Sequence, residues 1–448
     1  MMFLLGVLFM AVGIAVSIAL HEVGHLAPAK AFGVKVTKYM IGFGPTLWSR
    51  RKGETEYGVK AIPLGGFVSM VGMYPPKPGE SISEAPTSRW SALIDDARAQ
   101  GQAEIEPGDE DRVFYRLAWW KKLIVMAGGP TVNLIIATLL LGGIVTLYGS
   151  PTEVGAKVGS VVECVRPATS TAASTAPCTA SDTPAPGAVG GLEPGDVVRS
   201  VNGTPIHSAR ELSSIIRPSA GKALTFVVDR GGRDQTLTIT PIASQLPQLD
   251  STGAAVKDAA GKVATVTAGY VGITNVPVTE LQRQPVSAVP GIVWQGVSQT
   301  AGVVLQLPQK LVGVAQAAFG SGERDVNGPI SVIGVGRVAG EISDGQLGAG
   351  IGSSPGSTLI VLLSLVASLN LALFVFNLVP LMPLDGGQMV GAVWEGIKKG
   401  FARMTGRPDP GYVDVAKALP VAYAVSVALI VMSALLMYAD IVRPVKLG

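Results

Sequence analysis

The chain has 448 residues, 48% of them hydrophobic and only 15% charged, with a formal net charge of +3. A soluble domain usually carries about 25% charged residues, so the composition argues for a membrane protein. The net charge is too small for this length to support nucleic-acid binding, and the length leaves room for water-soluble modules beside membrane spans.

The first apolar run extends from Met1 to about Leu20 and continues into the polar stretch His21–His25. It has no basic leading segment and no clear small-residue cleavage site, so it reads as a span and not as a cleaved leader. Crossing a bilayer takes about 20 residues of helix. Further runs of that length begin near Leu123, Leu359 and Leu419. The predicted spans occupy residues 1–32, 119–148, 357–385 and 419–440. Lys35, Lys38, Arg50, Arg51 and Lys52 follow the first span, and Lys398, Lys399, Arg403 and Arg407 follow the third. Basic loops stay inside, which places 33–118 and 386–418 in the cytoplasm. The long connection between spans two and three is then extracytoplasmic, as are both termini.

Between the first two spans, Tyr57–Val68 alternates and carries Gly turns, the pattern of a β-hairpin. The acid- and Gln-rich piece from Asp95 to Asp111 reads as a mobile loop. Residues 155–243 read as a small β-rich domain, with a Val201-Asn202-Gly203 turn and a Gly231-Gly232 turn. Residues 244–356 read as an extracytoplasmic linker. In it the apolar stretch 286–318, interrupted by glutamines, is expected as helix lying on the membrane surface or under the β domain. Cys164 and Cys178 lack a C-x-x-C partner. They are either two separate thiols or, in an oxidising compartment, a disulfide.

The sharpest chemical signal is His21-Glu22-Val23-Gly24-His25. Histidines at i and i+4 share one helix face, so both imidazoles reach a single Zn²⁺, and Glu22 beside the first ligand is placed to act as the base on water. Ionisable residues at the end of an apolar span are costly and functional by default. The remaining histidine, His207, falls in the extracytoplasmic β region and reads as a surface residue. Asp385, in Asn377-Leu378-Val379-Pro380-Leu381-Met382-Pro383-Leu384-Asp385-Gly386-Gly387, is the acid expected to complete the metal site. Its bland alternative is a helix cap. Pro380 and Pro383 break the helix there, and irregular backbone at membrane depth needs a wet or protein-lined setting, which suits pairing with an unwound substrate. Asn377 is a candidate for binding the substrate backbone or the developing oxyanion, or for an interhelical hydrogen bond. Asn133, in Gly129-Pro130-Thr131-Val132-Asn133, is either a substrate contact or part of close helix packing.

His21-Glu22-x-x-His25 together with Asn377-x-x-Pro380 and Leu384-Asp385-Gly386-Gly387 resembles the site-2 protease family, and in layout the bacterial regulator-of-sigma-E protease group. Gly129-Pro130-x-x-Asn133 resembles its second-span motif, Gly191-Leu192-Glu193-Pro194-Gly195-Asp196 a PDZ signature, and Gly328-Pro329-Ile330 the element before span three. The resemblance implies an α-helical polytopic membrane protein with four transmembrane helices, an inserted PDZ domain and a membrane-associated β-hairpin. It implies a Zn²⁺-dependent intramembrane endopeptidase of the inner or plasma membrane. Its substrates would be single-pass membrane proteins of the anti-sigma-factor kind, already cut outside by another protease, and its partners would include membrane lipid and no nucleic acid. One PDZ domain is found where well-known relatives have two, and the stretch around the cysteines looks like an insertion. The alternative is a non-catalytic PDZ-bearing membrane scaffold or quality-control adaptor that has kept the motifs.

Overall fold

A computed structural model describes residues 2–76, 89–165, 178–179, 182–250, 255–256, 263–320, 324, 328–345 and 355–445. The chain forms two compact units: residues 1–146 with 285–448, and residues 147–284. Among the described residues, four helices are long and apolar enough to cross a membrane.

The first unit opens with helix α1 (Met2–Ala31), which carries the His21–His25 motif inside the continuous helix. Strands β1 (Val36–Lys52) and β2 (Thr55–Met70) follow. Each strand bends, so residues 56–59 pair with both 38–41 and 48–51, whereas 66–70 pair with 36–41 only. The expected hairpin at 57–68 is therefore part of a larger antiparallel meander, whose 66–70 segment is an edge. Helix α2 (Arg89–Ala103) occupies the first part of the stretch expected as a mobile loop. Buried Arg98, paired with Asp95 and Asp414, anchors this otherwise polar helix. Helix α3 (Trp119–Gly143) continues as a π-helical turn to Tyr148.

The second unit contains β3 (Ser150–Val161), β4 (Cys164–Val165), β5 (Thr183–Pro184), α4 (Pro186–Val189), β6 (Val197–Val201), β7 (Thr204–Pro205), α5 (Ala209–Ile216), β8 (Leu224–Arg230), β9 (Arg233–Ile239), β10 (Ile242–Pro247), β11 (Thr265–Tyr270) and β12 (Ile273–Gln282). Its main sheet runs β12-β3-β6-β8-β9. The core gathers the inward residues of these strands with α5, including Val158, Val198, Leu212, Phe226 and Ile239. Ending the β domain at residue 243 was too short. β12 lies far along the chain but pairs with β3 over its whole length, a non-local contact that local patterning does not reveal. Cys164 and Cys178 are joined by a disulfide with Cα atoms 6.0 Å apart.

The first unit resumes with α6 (Val289–Leu305), α7 (Leu307–Phe319), α8 (Val332–Ser343), α9 (Pro355–Asn377), α10 (Asp385–Met404) and α11 (Leu419–Val442). Helices α6 and α7 pack against the long apolar helices. Val289 and Val293 join Ala137 of α3 and Leu371 of α9 in one cluster, and Val314 and Ala318 join Leu436 and Ala439 of α11 in another. Gln295 and Gln299 fall on the exposed side, so the interrupting glutamines do not hold these helices away from the others. The third span ends at Asn377, short of the expected 385. A proline-broken turn follows, and Asp385 opens a new helix where 386–418 had been expected as a loop.

Candidate metal centre

The i, i+4 spacing on α1 brings the Nε2 atoms of His21 and His25 to 3.2 Å from each other. Asp385, at the first turn of α10, places Oδ2 3.4 Å from His21 Nε2 and 3.3 Å from His25 Nε2. Tetrahedral coordination at about 2.0–2.1 Å sets ligand atoms about 3.3–3.4 Å apart, so the observed triangle has the edge length that Zn²⁺ requires. Oδ2 is buried and yet has no hydrogen-bond partner among the described residues. It lies close to both imidazoles but is aligned with neither, as expected for donors aimed at a common point. Two imidazoles and a carboxylate form a donor set that fits Zn²⁺ and leaves one tetrahedral position for water or substrate.

The surroundings orient these groups. His25 Nδ1–H donates to the carbonyl of Val125 on α3 at 2.8 Å, which leaves Nε2 as the free lone pair. α3 comes that close because Gly24 and Gly128 face each other. A Cβ on Gly128 would sit 1.9 Å from the Gly24 oxygen. One residue further, a Cβ on Gly129 would lie 2.3 Å from His25 Nε2 and 2.7 Å from His21 Nε2. Glycine at 129 is thus what leaves room for the two imidazole Nε2 atoms.

Glu22 is buried on the same turn of α1, and Gly66 of the β2 edge segment passes beside it. A Cβ at Gly66 would lie 2.9 Å from Glu22 Cγ. Tyr39 of β1 donates its hydroxyl to the Ala19 carbonyl at 2.8 Å. Burial, with the Glu22 charge nearby, pushes its phenol up to about 12, so it stays a neutral donor that ties the meander to α1.

Asn133 lies one helical turn beyond Gly129 on α3, fully buried, with no partner for its amide oxygen or nitrogen among the described residues. Asn377 is the last residue of α9 and is half-buried, while Pro380 and Pro383 are exposed in the turn that leads to Asp385. His207 is an exposed residue of the second unit, as expected of a surface histidine. Sequence reasoning placed Gly66 in the hairpin but missed its contact with Glu22, and it missed Tyr39 and a fully buried amide on α9. That amide, Asn370, donates to Ser17 Oγ of α1 at 2.9 Å, one turn before His21. An asparagine inside an apolar span was the available signal for it.

The family model described as Peptidase family M50 matches residues 9–407. The chain is 33% identical over 454 residues to zinc metalloprotease Rip1 of Mycobacterium tuberculosis strain H37Rv, covering 100% of both chains. It is 32% identical to zinc metalloprotease Rip1 of Mycolicibacterium smegmatis, again covering 100% of both. It is 27% identical to metalloprotease MmpA of Caulobacter vibrioides over 86% of this chain and 85% of that one. A match of this extent, joined to four membrane-length apolar helices, places the chain in Peptidase family M50, the site-2 protease family, as a multi-pass membrane zinc metalloprotease.

Proposed function

We propose that this enzyme works by regulated intramembrane proteolysis, cutting the transmembrane segments of single-pass proteins of the anti-sigma-factor kind after an extracytoplasmic cut. The observation that carries this reading is the triangle of His21 Nε2, His25 Nε2 and Asp385 Oδ2 at 3.2–3.4 Å, built at the end of an apolar helix. His21, His25 and Asp385 would hold a zinc ion, which when bound would supply Lewis acidity. Glu22, next to the first ligand in a buried setting, takes the proton from the attacking water and returns it to the leaving amine.

The scissile bond must be extended to be cut. The 66–70 edge runs past Glu22 with one side unpaired by the meander, which supports strand addition by an unwound substrate. Residues 56–59 have both sides engaged and do not offer such an edge. Asn133 is a buried amide without a partner among the described residues, one turn beyond Gly129 on α3, and we assign it to the substrate backbone. We assign Asn377, Pro380 and Pro383 to the same wall from the turn that presents Asp385. The basic loops support a cytoplasmic approach of water and an extracytoplasmic second unit.

In the second unit β12 is a sheet edge, and a cavity of about 170 Å³ is lined by Ser213, Ile216 and Arg217 from α5 and its end, Ile273 and Asn275 from β12, and Leu246 and Tyr270 from β10 and β11. An edge strand opposite a helix supports a PDZ-type peptide groove, with Arg217 near its end to receive a carboxylate.

The test is Glu22→Gln in the full-length protein. The expected result is stoichiometric zinc with cleavage of a reporter membrane substrate abolished; near-normal cutting would remove Glu22 from the chemistry.

A further inference from the structure

The metal centre draws its ligands from α1 and α10, while α3 supplies the Val125 carbonyl and the space at Gly129. The position of α10 along α3 therefore decides whether Asp385 reaches the imidazoles. The two helices run antiparallel along one face. Met389 packs into the cluster that holds Val125 and Met126, and Gly396 meets the ring of Trp119. Apolar contacts of this kind are non-directional, whereas a hydrogen-bonded ion pair has a defined geometry.

Between these contacts, Lys122 Nζ donates to Glu395 Oε2 at 2.7 Å, with Lys122 8% and Glu395 1% exposed at the side chain. Glu395 Oε1 accepts from Lys399 at 2.9 Å, and Oε2 also accepts from the Val413 amide at 3.3 Å. The ring of Tyr412 lies 5.0 Å from Lys122 Nζ and 4.7 Å from Lys399 Nζ. Glu395 stands ten positions after Asp385, about 15 Å along the helix, so it does not touch the metal centre. Burying ions is costly, and the best-attested return on a buried ionic group is registry.

We propose that Lys122 and Glu395 are positioning residues of this protease: their ion pair fixes the register of α10 on α3, so that Asp385 meets His21 and His25 at coordination spacing. The inference rests on the reading of those three residues as the zinc ligands.

The test uses the full-length protein in detergent and compares wild type with Lys122→Met/Glu395→Met, Lys122→Arg and Asp385→Ala. Zinc affinity is read by competition with a chromophoric chelator, and the thermal midpoint is read on the metal-free protein. The double methionine variant removes both buried charges together and leaves Lys399 able to reach water. It should keep its metal-free midpoint within a few degrees, hold zinc 10- to 100-fold more weakly, and lose kcat on a reporter substrate with KM within about twofold. Lys122→Arg, which keeps the pair, should restore affinity to within about threefold of wild type. Wild-type zinc affinity in the double variant overturns the proposal. So does a metal-free midpoint that falls in step with affinity, because the pair would then only hold the fold. Undiminished zinc binding by Asp385→Ala refutes the ligand reading instead, so the two failures are distinguishable.

Discussion

Helices α3 and α11 are both apolar and both long enough to span a membrane, yet they are packed in opposite ways. α3 buries Lys122, Val125, Met126, Gly129, Pro130, Asn133 and Ala137, a face that mixes glycine, polar and charged residues with apolar ones. α11 buries only Leu436, Ala439 and Asp440, all near one end. There Asp440 pairs with Arg324 at 2.7 Å, and it accepts from the Ser331 amide at the start of α8. Apolar character alone marks both as spans. Glycine and buried polar residues along one face mark the one that builds the site.

The strongest way to break this comparison is Gly129→Ala. The added methyl would overlap Nε2 of both His21 and His25, and a misplacement of about 1 Å near reacting groups can cost about 100-fold. Cleavage should fall at least about 100-fold with loss of bound zinc, measured by metal analysis and a reporter assay. Ile430→Ala on the exposed face of α11 should change cleavage by less than about twofold, since surface changes remote from the site are close to neutral. Equal effects at the two positions would erase the distinction between the helices.

Asp440→Asn sharpens the comparison from the other side. It strands Arg324, a buried cation 4% exposed at the side chain, at a cost of about 3 kcal/mol. The thermal midpoint in detergent should drop by several degrees, while cleavage well below that midpoint should stay within about threefold because Asp440 touches no site residue. A larger loss of cleavage would make the α11 end part of the working machinery.

How legible each region was follows from the same physics. His21, His25 and Asp385, which the structure brings together, stood out in the sequence because each is an ionisable residue beside an apolar run, where chance rarely leaves one. The extent of α1 and α3 followed from hydropathy. Gly66 and Tyr39 were hidden because their roles depend on a meander whose strands bend and pair twice, and register is set by tertiary contact. β12 escaped for the same reason. The glycine pair Gly24 and Gly128 was visible only as small residues; that they touch is a property of helix crossing, which spacing along one chain does not encode. The Lys122–Glu395 pair joins residues 273 positions apart, a tertiary contact that local patterning does not reveal.

The pair between Asp196 and Arg230 in the second unit provides the control for Asp440, because it joins a buried acid to a cation that is partly open to water. Asp196 is 1% exposed at the side chain and Arg230 25%. Arg230 Nε and Nη2 reach its two oxygens at 2.7 and 2.8 Å, and the Glu193 amide donates at 2.9 Å. Burial alone would raise this carboxyl, but the hydrogen bonds from Arg230 and Glu193 outweigh it and bring the pKa below the ordinary 3.8. A carboxyl that is more acidic when folded stabilises the fold fully above its unfolded pKa, and that contribution is lost as pH falls through the folded value. Asp196→Asn should therefore cost about 2 kcal/mol at pH 7 and less at pH 3, read as faster amide exchange across β6 and β8. A cost that did not shrink with acid would mean that packing around Asp196, and not its charge, secures the turn. The Asp440 result would then have to be reread as a packing effect as well.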